Sequence, residues 1–170
     1  MRVIAGSYKG RNIDCPKGDR IRPTSDMVRT AVFNILSTRV DFESAKVLDV
    51  FCGTGAYGIE ALSRGAEFVG FVDNHRESIE VTKHNINKMH KENNYKIYGY
   101  DAEKLPKADV QYDVILIDPP YKSGFVPKTL LALKNGGWIA DGALIIAEES
   151  ELEKIEFPEG FEIKLDRRYG

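Results

Sequence analysis

Apolar residues recur in two different periods along this chain. In IRPTSDMVRTAVFNILSTRV, Val28, Ala31, Val32, Ile35 and Leu36 fall at i, i+3, i+4, i+7 and i+8, one face of a helix, with Thr24 or Ser25 placed to cap it after Pro23. Arg22, Asp26 and Arg29 are expected on its other face or at its mouth. From residue 46 the apolar positions come instead in short runs of strand length: KVLDVF (46–51), EFVGFVD (67–73), YKIYGYD (95–101), YDVILID (112–118), GALIIAEE (142–149) and GFEIKLD (160–166). Helical spacing fills the intervals at 56–64, 75–90 and 126–134; Gly65 closes the first, and Ile79, Ile86 and Met89 line one side of the second. Strand and helix in alternation predict an α/β fold, a mainly parallel twisted sheet with helices on both faces. The opening runs RVIAG, SYKG and RNID predict a β-hairpin around a glycine-containing turn. The expected organisation is a basic N-terminal hairpin extension over 1–20 and a single domain over 21–170.

Composition narrows the class. The chain has 170 residues, 42% hydrophobic and 29% charged, as one ordinary globular domain has. No run approaches the roughly 18 apolar residues of a membrane span, and MRVIAGSYKG lacks a secretory apolar stretch, so a cytoplasmic protein is expected. Cys15 and Cys52 are not spaced as a metal or redox pair, and both read as reduced, Cys52 as a small packing residue. His75, His84 and His90 fall in one helical segment without ligand-spaced partners, so no metal is expected.

Charge is distributed unevenly. Residues 1–30 carry a local balance of +4, so the remainder carries −6 within a net charge of −2. A basic arm on an acidic body suits docking to a polyanion, which makes Arg2, Lys9, Arg11 and Arg22 candidate RNA phosphate contacts. The glutamates between 148 and 162 read as a solvated acidic edge.

The strongest chemistry lies in VLDVFCGTGAYGIEAL, where a strand runs into a helix through Gly53, Gly55 and Gly58, spaced G-x-G-x-x-G. Such glycines let the backbone turn sharply and approach a ligand. Asp73, twenty residues after Gly53 at the next strand's end, is placed to accept from ribose hydroxyls. The same pattern admits a dinucleotide, so an NAD-dependent oxidoreductase is a rival. Asp49 argues against it, because a carboxylate in that strand repels a pyrophosphate but welcomes an ammonium. S-adenosylmethionine carries an ammonium and no phosphate. With Asp101 ending the third strand, Asp49, Asp73 and Asp101 outline places for methionine, ribose and adenine.

In VILIDPPYKSG a buried run ends on Asp118, a carboxylate costly to desolvate unless something outside the sheet uses it. Pro119 and Pro120 fix the backbone and remove two amide donors, leaving the Pro119 carbonyl as an aimed acceptor. Tyr121 offers a face for stacking. Two acceptors beside an aromatic platform suit the exocyclic amine of a nucleobase. Its lone pair is freed for attack when both N–H groups are held.

IDPPY together with VLDVFCGTGAYG resembles the Rossmann-like class I S-adenosylmethionine-dependent amino-methyltransferases, which use (D/N/S)-P-P-(Y/F). More narrowly, RPTSDMVRTAVFNIL, GIEALSRGAEFVGFVD, IDPPY and the final RRYG resemble the RsmD family, bacterial guanine-N2 methyltransferases of small-subunit ribosomal RNA. The resemblance implies methylation of one guanine of 16S rRNA in the small ribosomal subunit or its assembly intermediate. A monomer is expected. Asp49, Gly53 and Gly55 are then implied to hold methionine, Asp73 ribose and Asp101 adenine. The resemblance likewise implies that Asp118 to Tyr121 form the catalytic loop and that Arg22 and Thr24 close over the cofactor's carboxylate or the target nucleotide. Cys52-Gly53-Thr54 stands where the family often has Ala-Gly-Ser. Its chains usually continue for a further strand after the YG, so an incomplete last sheet edge is expected. A DNA adenine-N6 methyltransferase and a non-catalytic RNA-binding assembly factor stand beside the oxidoreductase as rivals.

Overall fold

The computed structural model describes residues 1–18, 21, 24–89, 94–120, 124–150 and 155–169. Arg22, Pro23, His90 and Tyr121 therefore lie outside the described residues. In chain order the elements are α1 (Asp26–Ser37), β1 (Lys46–Val50), α2 (Ala56–Ser63), β2 (Phe68–Val72), α3 (Arg76–Asn87), β3 (Tyr95–Tyr98), β4 (Tyr112–Ile117), α4 (Phe125–Asn135) and β5 (Ile139–Ala147). The strands form a five-stranded sheet in the order β3-β2-β1-β4-β5, and every pairing is parallel. The order reverses direction between β1 and β4, so the carboxyl ends of these two strands flank the crevice where such sheets bind ligands.

Parity along each strand divides the side chains between two cores. Val47, Val69, Phe71, Val114 and Leu116 pack on one face with Val32, Phe33 and Leu36 of α1, Ile59 of α2 and Ile86 of α3. Leu48, Val50, Val72, Ile115 and Ile117 pack on the other with Val126, Leu130 and Leu133 of α4 and with Trp138. Both faces are covered, as buried parallel strands require.

Gly58 shows how closely α2 lies on the sheet. A Cβ there would stand 2.2 Å from the Phe71 ring of β2. Gly58→Ala is therefore expected to destabilise the fold by about 1–3 kcal/mol or more through overpacking. The check is a lower urea midpoint at unchanged slope.

Of the two cap candidates Ser25 caps α1, its hydroxyl accepting from the Val28 N–H at 3.2 Å. Two expectations are corrected. Arg29, expected on the outer face or mouth of α1, is 0% exposed; its Nη2 donates to the Arg2 carbonyl and to Asp26 at 3.0 Å. The buried stripe is Arg29, Val32, Phe33 and Leu36, one residue round the helix from the apolar count. The strand expected at 160–166 is absent. Its alternation of Phe161, Ile163 and Leu165 has no ladder to join, and Ile163 and Leu165 are 59% and 40% exposed. Alternation makes a segment fit for a sheet, but backbone hydrogen bonds to a neighbour make the strand.

The amino-terminal segment forms a hairpin-like turn closed by one antiparallel bridge, Arg2 to Asn12. It is seated in the core: Val3, Tyr8 and Ile13 are buried in the first cluster. The fully buried Glu60 carboxylate accepts from the Ile4 N–H at 2.9 Å, the Ala5 N–H at 3.0 Å and Arg64 Nε at 3.0 Å. Among the described residues, no helix is long and apolar enough to cross a membrane.

Candidate active site

β1 ends in strained backbone. Phe51 has φ +61°, a left-handed conformation rare for a bulky residue, and Gly53 and Gly55 follow at φ +55° and +80°. Gly55 begins α2 as its N-cap residue, and a Cβ there would meet Thr82 Cγ2 at 3.0 Å. The loop is held from α3 by two side chains with no mark in the sequence pattern. Thr82 donates to the Gly53 carbonyl at 3.0 Å, and the buried Asn85 donates to the Thr54 carbonyl at 2.9 Å. Cys52 is packed beneath; burial, then the Asp49 and Asp73 charges, push its thiol well up, as befits a packing residue and not a nucleophile.

Acids from four adjacent strands point to the same side of the sheet. Asp49 shares the parity of Val47, Asp73 of Phe71, Asp118 of Leu116, and Glu148 of Leu144 and Ile146. Asp49 is 1% exposed, with Oδ2 accepting from the Gly58 N–H at 2.9 Å. Burial pushes its carboxyl well above the usual range; the Gly58 bond opposes this, and the Asp118 and Asp73 charges add to it. The Asp73 carboxylate ties the loop together, Oδ2 accepting from Gly53 N–H at 3.1 Å and Oδ1 from His75 N–H at 3.0 Å. Asp118 stands just past β4, its N–H directed at the Val50 carbonyl at 3.4 Å and its Oδ2 accepting from the Thr24 hydroxyl.

The structure thus gathers Asp49, Gly53, Gly55, Asp73, Asp118 and Thr24, with Pro119 buried and Pro120 exposed beside them. Thr24 joins the site through Asp118. Asp101 lies in a turn after β3, with Oδ1 accepting from the Glu103 N–H at 2.9 Å. Arg2, Lys9 and Arg11 are not drawn into these contacts. The hairpin turn bonds the carboxyl end of α2, Ser7 N–H to the Ser63 carbonyl at 2.7 Å, about 12 Å of helix from the glycine loop. Arg11 Nη1 donates to the Met89 carbonyl at 3.0 Å at the end of α3.

Glu148, read in the sequence as part of a solvated acidic edge, is half-buried within the site. Its carboxyl accepts from the Tyr57 hydroxyl of α2 and is near enough to Asp118 to feel its charge. The signal was its parity with Leu144 and Ile146, the same alternation that carries Asp118 after Leu116. Burial pushes Glu148 up to about 7, with the Asp118 charge adding and the Tyr57 bond opposing.

A parallel sheet in this order, with a glycine loop after its first strand, an acid after its second and Asp-Pro-Pro after its fourth, defines a class I methyltransferase fold. The chain matches the family described as Conserved hypothetical protein 95 over residues 1–170 and belongs to it, the RsmD family. The protein named ribosomal RNA small subunit methyltransferase D of Escherichia coli strain K12 is 34% identical over 154 residues, 90% of this chain and 76% of that one. Its namesake in Buchnera aphidicola subsp. Acyrthosiphon pisum is 33% identical over 160 residues, 94% and 83% of the two chains. The solved structure of the yhhF protein of Escherichia coli superposes with a TM-score of 0.78 at 30% identity, covering 94% of this chain and 86% of that one. A Podospora anserina methyltransferase solved with S-adenosylhomocysteine shares the fold, with a TM-score of 0.60 at 12% identity over 72% of this chain and 52% of its own.

Proposed function

We propose that this chain transfers a methyl group from S-adenosylmethionine to the exocyclic N2 amine of a guanine in 16S rRNA. RsmD-family membership and the rRNA methyltransferase relatives support the general activity. The observation that carries the cofactor is Asp49, a fully buried carboxyl on which the charges of Asp73 and Asp118 also bear. Burial beside like charges disfavours the ionised form of Asp49 and is relieved by a cation, so the site fits the ammonium of the methionine moiety and repels the pyrophosphate of NAD.

Asp49 and the Gly53 and Gly55 backbone would hold the methionine moiety, Asp73 the ribose and Asp101 the adenine. When bound, S-adenosylmethionine supplies a methyl group made electrophilic by its sulfonium sulfur. The chain's own task is to present the amine. Asp118 and the Pro119 carbonyl each accept one N–H, turning the nitrogen lone pair outward, and the carboxylate stabilises the positive charge that develops there. The resemblance gives Tyr121 the stacking role. A base paired in a helix must swing out to reach this edge of the sheet. Arg2 and Lys9, exposed on the hairpin a helix length away, suit phosphates beyond the target nucleotide.

The test is incubation of the purified protein with labelled S-adenosylmethionine and small-subunit particles lacking the modification. The expected product is N2-methylguanosine on nuclease digestion. Label in N6-methyladenosine of DNA, in protein, or in no macromolecule overturns the reading.

A further inference from the structure

Glu148 accepts nothing from the substrate amine, yet it stands beside Asp118, which does. The β4–β5 register pairs Ile117 with Ala147, and the Glu148 N–H donates to the Ile117 carbonyl at 2.8 Å. The next residues on each strand, Asp118 and Glu148, therefore stand side by side on one face, where the Asp118 charge pushes the Glu148 carboxyl up. Two carboxylates have no donor between them, so a hydrogen bond joining this pair requires a proton. Tyr57 does not supply it: its hydroxyl donates to Glu148, and burial, with the Glu148 charge adding, pushes its ionisation far up. Among the described residues, the groups facing the pair include Tyr57 from α2, Thr24 from the segment before α1 and Asp49 from β1, on which the Asp118 charge bears. Glu149, next along the chain, turns Oε1 to the Ser150 N–H at 3.3 Å.

We propose that Glu148 is a positioning residue for Asp118, donating one shared proton to the Asp118 carboxylate and fixing the direction in which it accepts from the substrate amine. This rests on the reading of Asp118 as the amine's acceptor. The arrangement is a chain of oriented groups: Tyr57 donates to Glu148, Glu148 donates to Asp118, and Thr24, from the segment before α1, donates to the same carboxylate. The shared proton holds the pair at a single negative charge beside Asp49. Its loss leaves two adjacent anions that swing apart. Burial and the Asp118 charge place that loss close to neutrality, so orientation is lost as pH rises.

The test uses the full chain with small-subunit particles lacking the modification, single-turnover rates across pH 6 to 9, and separately measured cofactor affinity. Glu148→Gln retains an amide donor for Asp118 and an acceptor for Tyr57, but does not titrate. The wild-type rate is expected to fall with rising pH above about 7, and the Glu148→Gln rate to stay level there. Glu148→Ala is expected to lose about ten- to a hundredfold in rate with cofactor affinity unchanged. A Glu148→Gln variant that keeps the wild-type alkaline fall overturns the proposal, and so does a folded Glu148→Ala variant with wild-type rate. If Glu148→Ala does not fold, the Glu148→Gln profile decides alone. Asp118→Ala measured in parallel separates the two readings: full activity there removes the acceptor role itself, whereas its loss beside unaffected Glu148 variants removes only the positioning role.

Discussion

Asp118→Ala is expected to lower the rate of rRNA methylation by about 10²-fold or more, the scale seen when a preorganised group facing developing charge is removed. Asp118 stands at the end of β4 with its backbone tied toward Val50 and its carboxylate held by the Thr24 hydroxyl, so its direction is set before any substrate arrives. That preorganisation is what alanine discards. The Pro119 carbonyl remains but accepts only one of the two N–H groups, so the nitrogen lone pair returns to conjugation with the ring. Cofactor affinity is expected to change far less than the rate, because the groups assigned to the cofactor, Asp49, Asp73 and the glycine loop, keep their own bonds to Gly58, Gly53 and His75, and only the Asp118 charge felt at Asp49 is lost. Asp118→Asn keeps one acceptor oxygen without the charge and is expected to fall between the two. The measurement is single-turnover methylation alongside calorimetric binding of S-adenosylmethionine. A variant with normal rate and weakened cofactor binding places Asp118 with the cofactor and not with the amine.

The order of elements and the acids Asp49, Asp73 and Asp118 were legible because each leaves a local mark. A carboxylate inside or just after an apolar run is conspicuous, and glycines at G-x-G-x-x-G spacing have few uses. Glu148 left the same mark, two residues after Ile146, but it sits among other glutamates, and composition outweighed parity. The burial of Arg29 is hidden from the sequence for a related reason. Helical periodicity located a face, yet a charged residue was assigned outward, whereas the hairpin supplies the Arg2 carbonyl that its guanidinium needs when buried. That partner is 27 residues away and no local pattern points to it. Thr82 and Asn85 escaped because their bonds run from a helix to a loop about 30 residues earlier. The segment 160–166 is the converse case, a sound local pattern with no partner strand among the described residues.

Asp49→Asn is expected to weaken S-adenosylmethionine binding by about 10²-fold, in keeping with the roughly 2–5 kcal/mol lost when one partner of a buried charge pair is removed. Asparagine is nearly isosteric, and its side-chain oxygen can still accept from the Gly58 N–H, so the loop keeps its shape. Without ligand, burial and two neighbouring carboxylates hold Asp49 in its protonated form well above its ordinary value of 3.8. The ammonium of the cofactor favours the ionised form, so binding expels a proton. Affinity therefore rises with pH until the free enzyme's Asp49 is ionised, and calorimetry in buffers of differing ionisation enthalpy should detect the released proton. The asparagine variant should show neither effect. Stability runs in the opposite sense. A carboxyl whose folded pKa is raised binds more protons folded than unfolded, so its stabilising contribution is complete below about 4 and is lost as pH climbs through the folded value. The ligand-free wild type should lose stability over that range, whereas the variant should lose less and melt at an equal or higher temperature at neutral pH. A variant that binds the cofactor with wild-type affinity and unchanged pH dependence would remove Asp49 from the methionine pocket. A weaker binder that is also less stable at neutral pH would mark Asp49 as a structural acid of the loop.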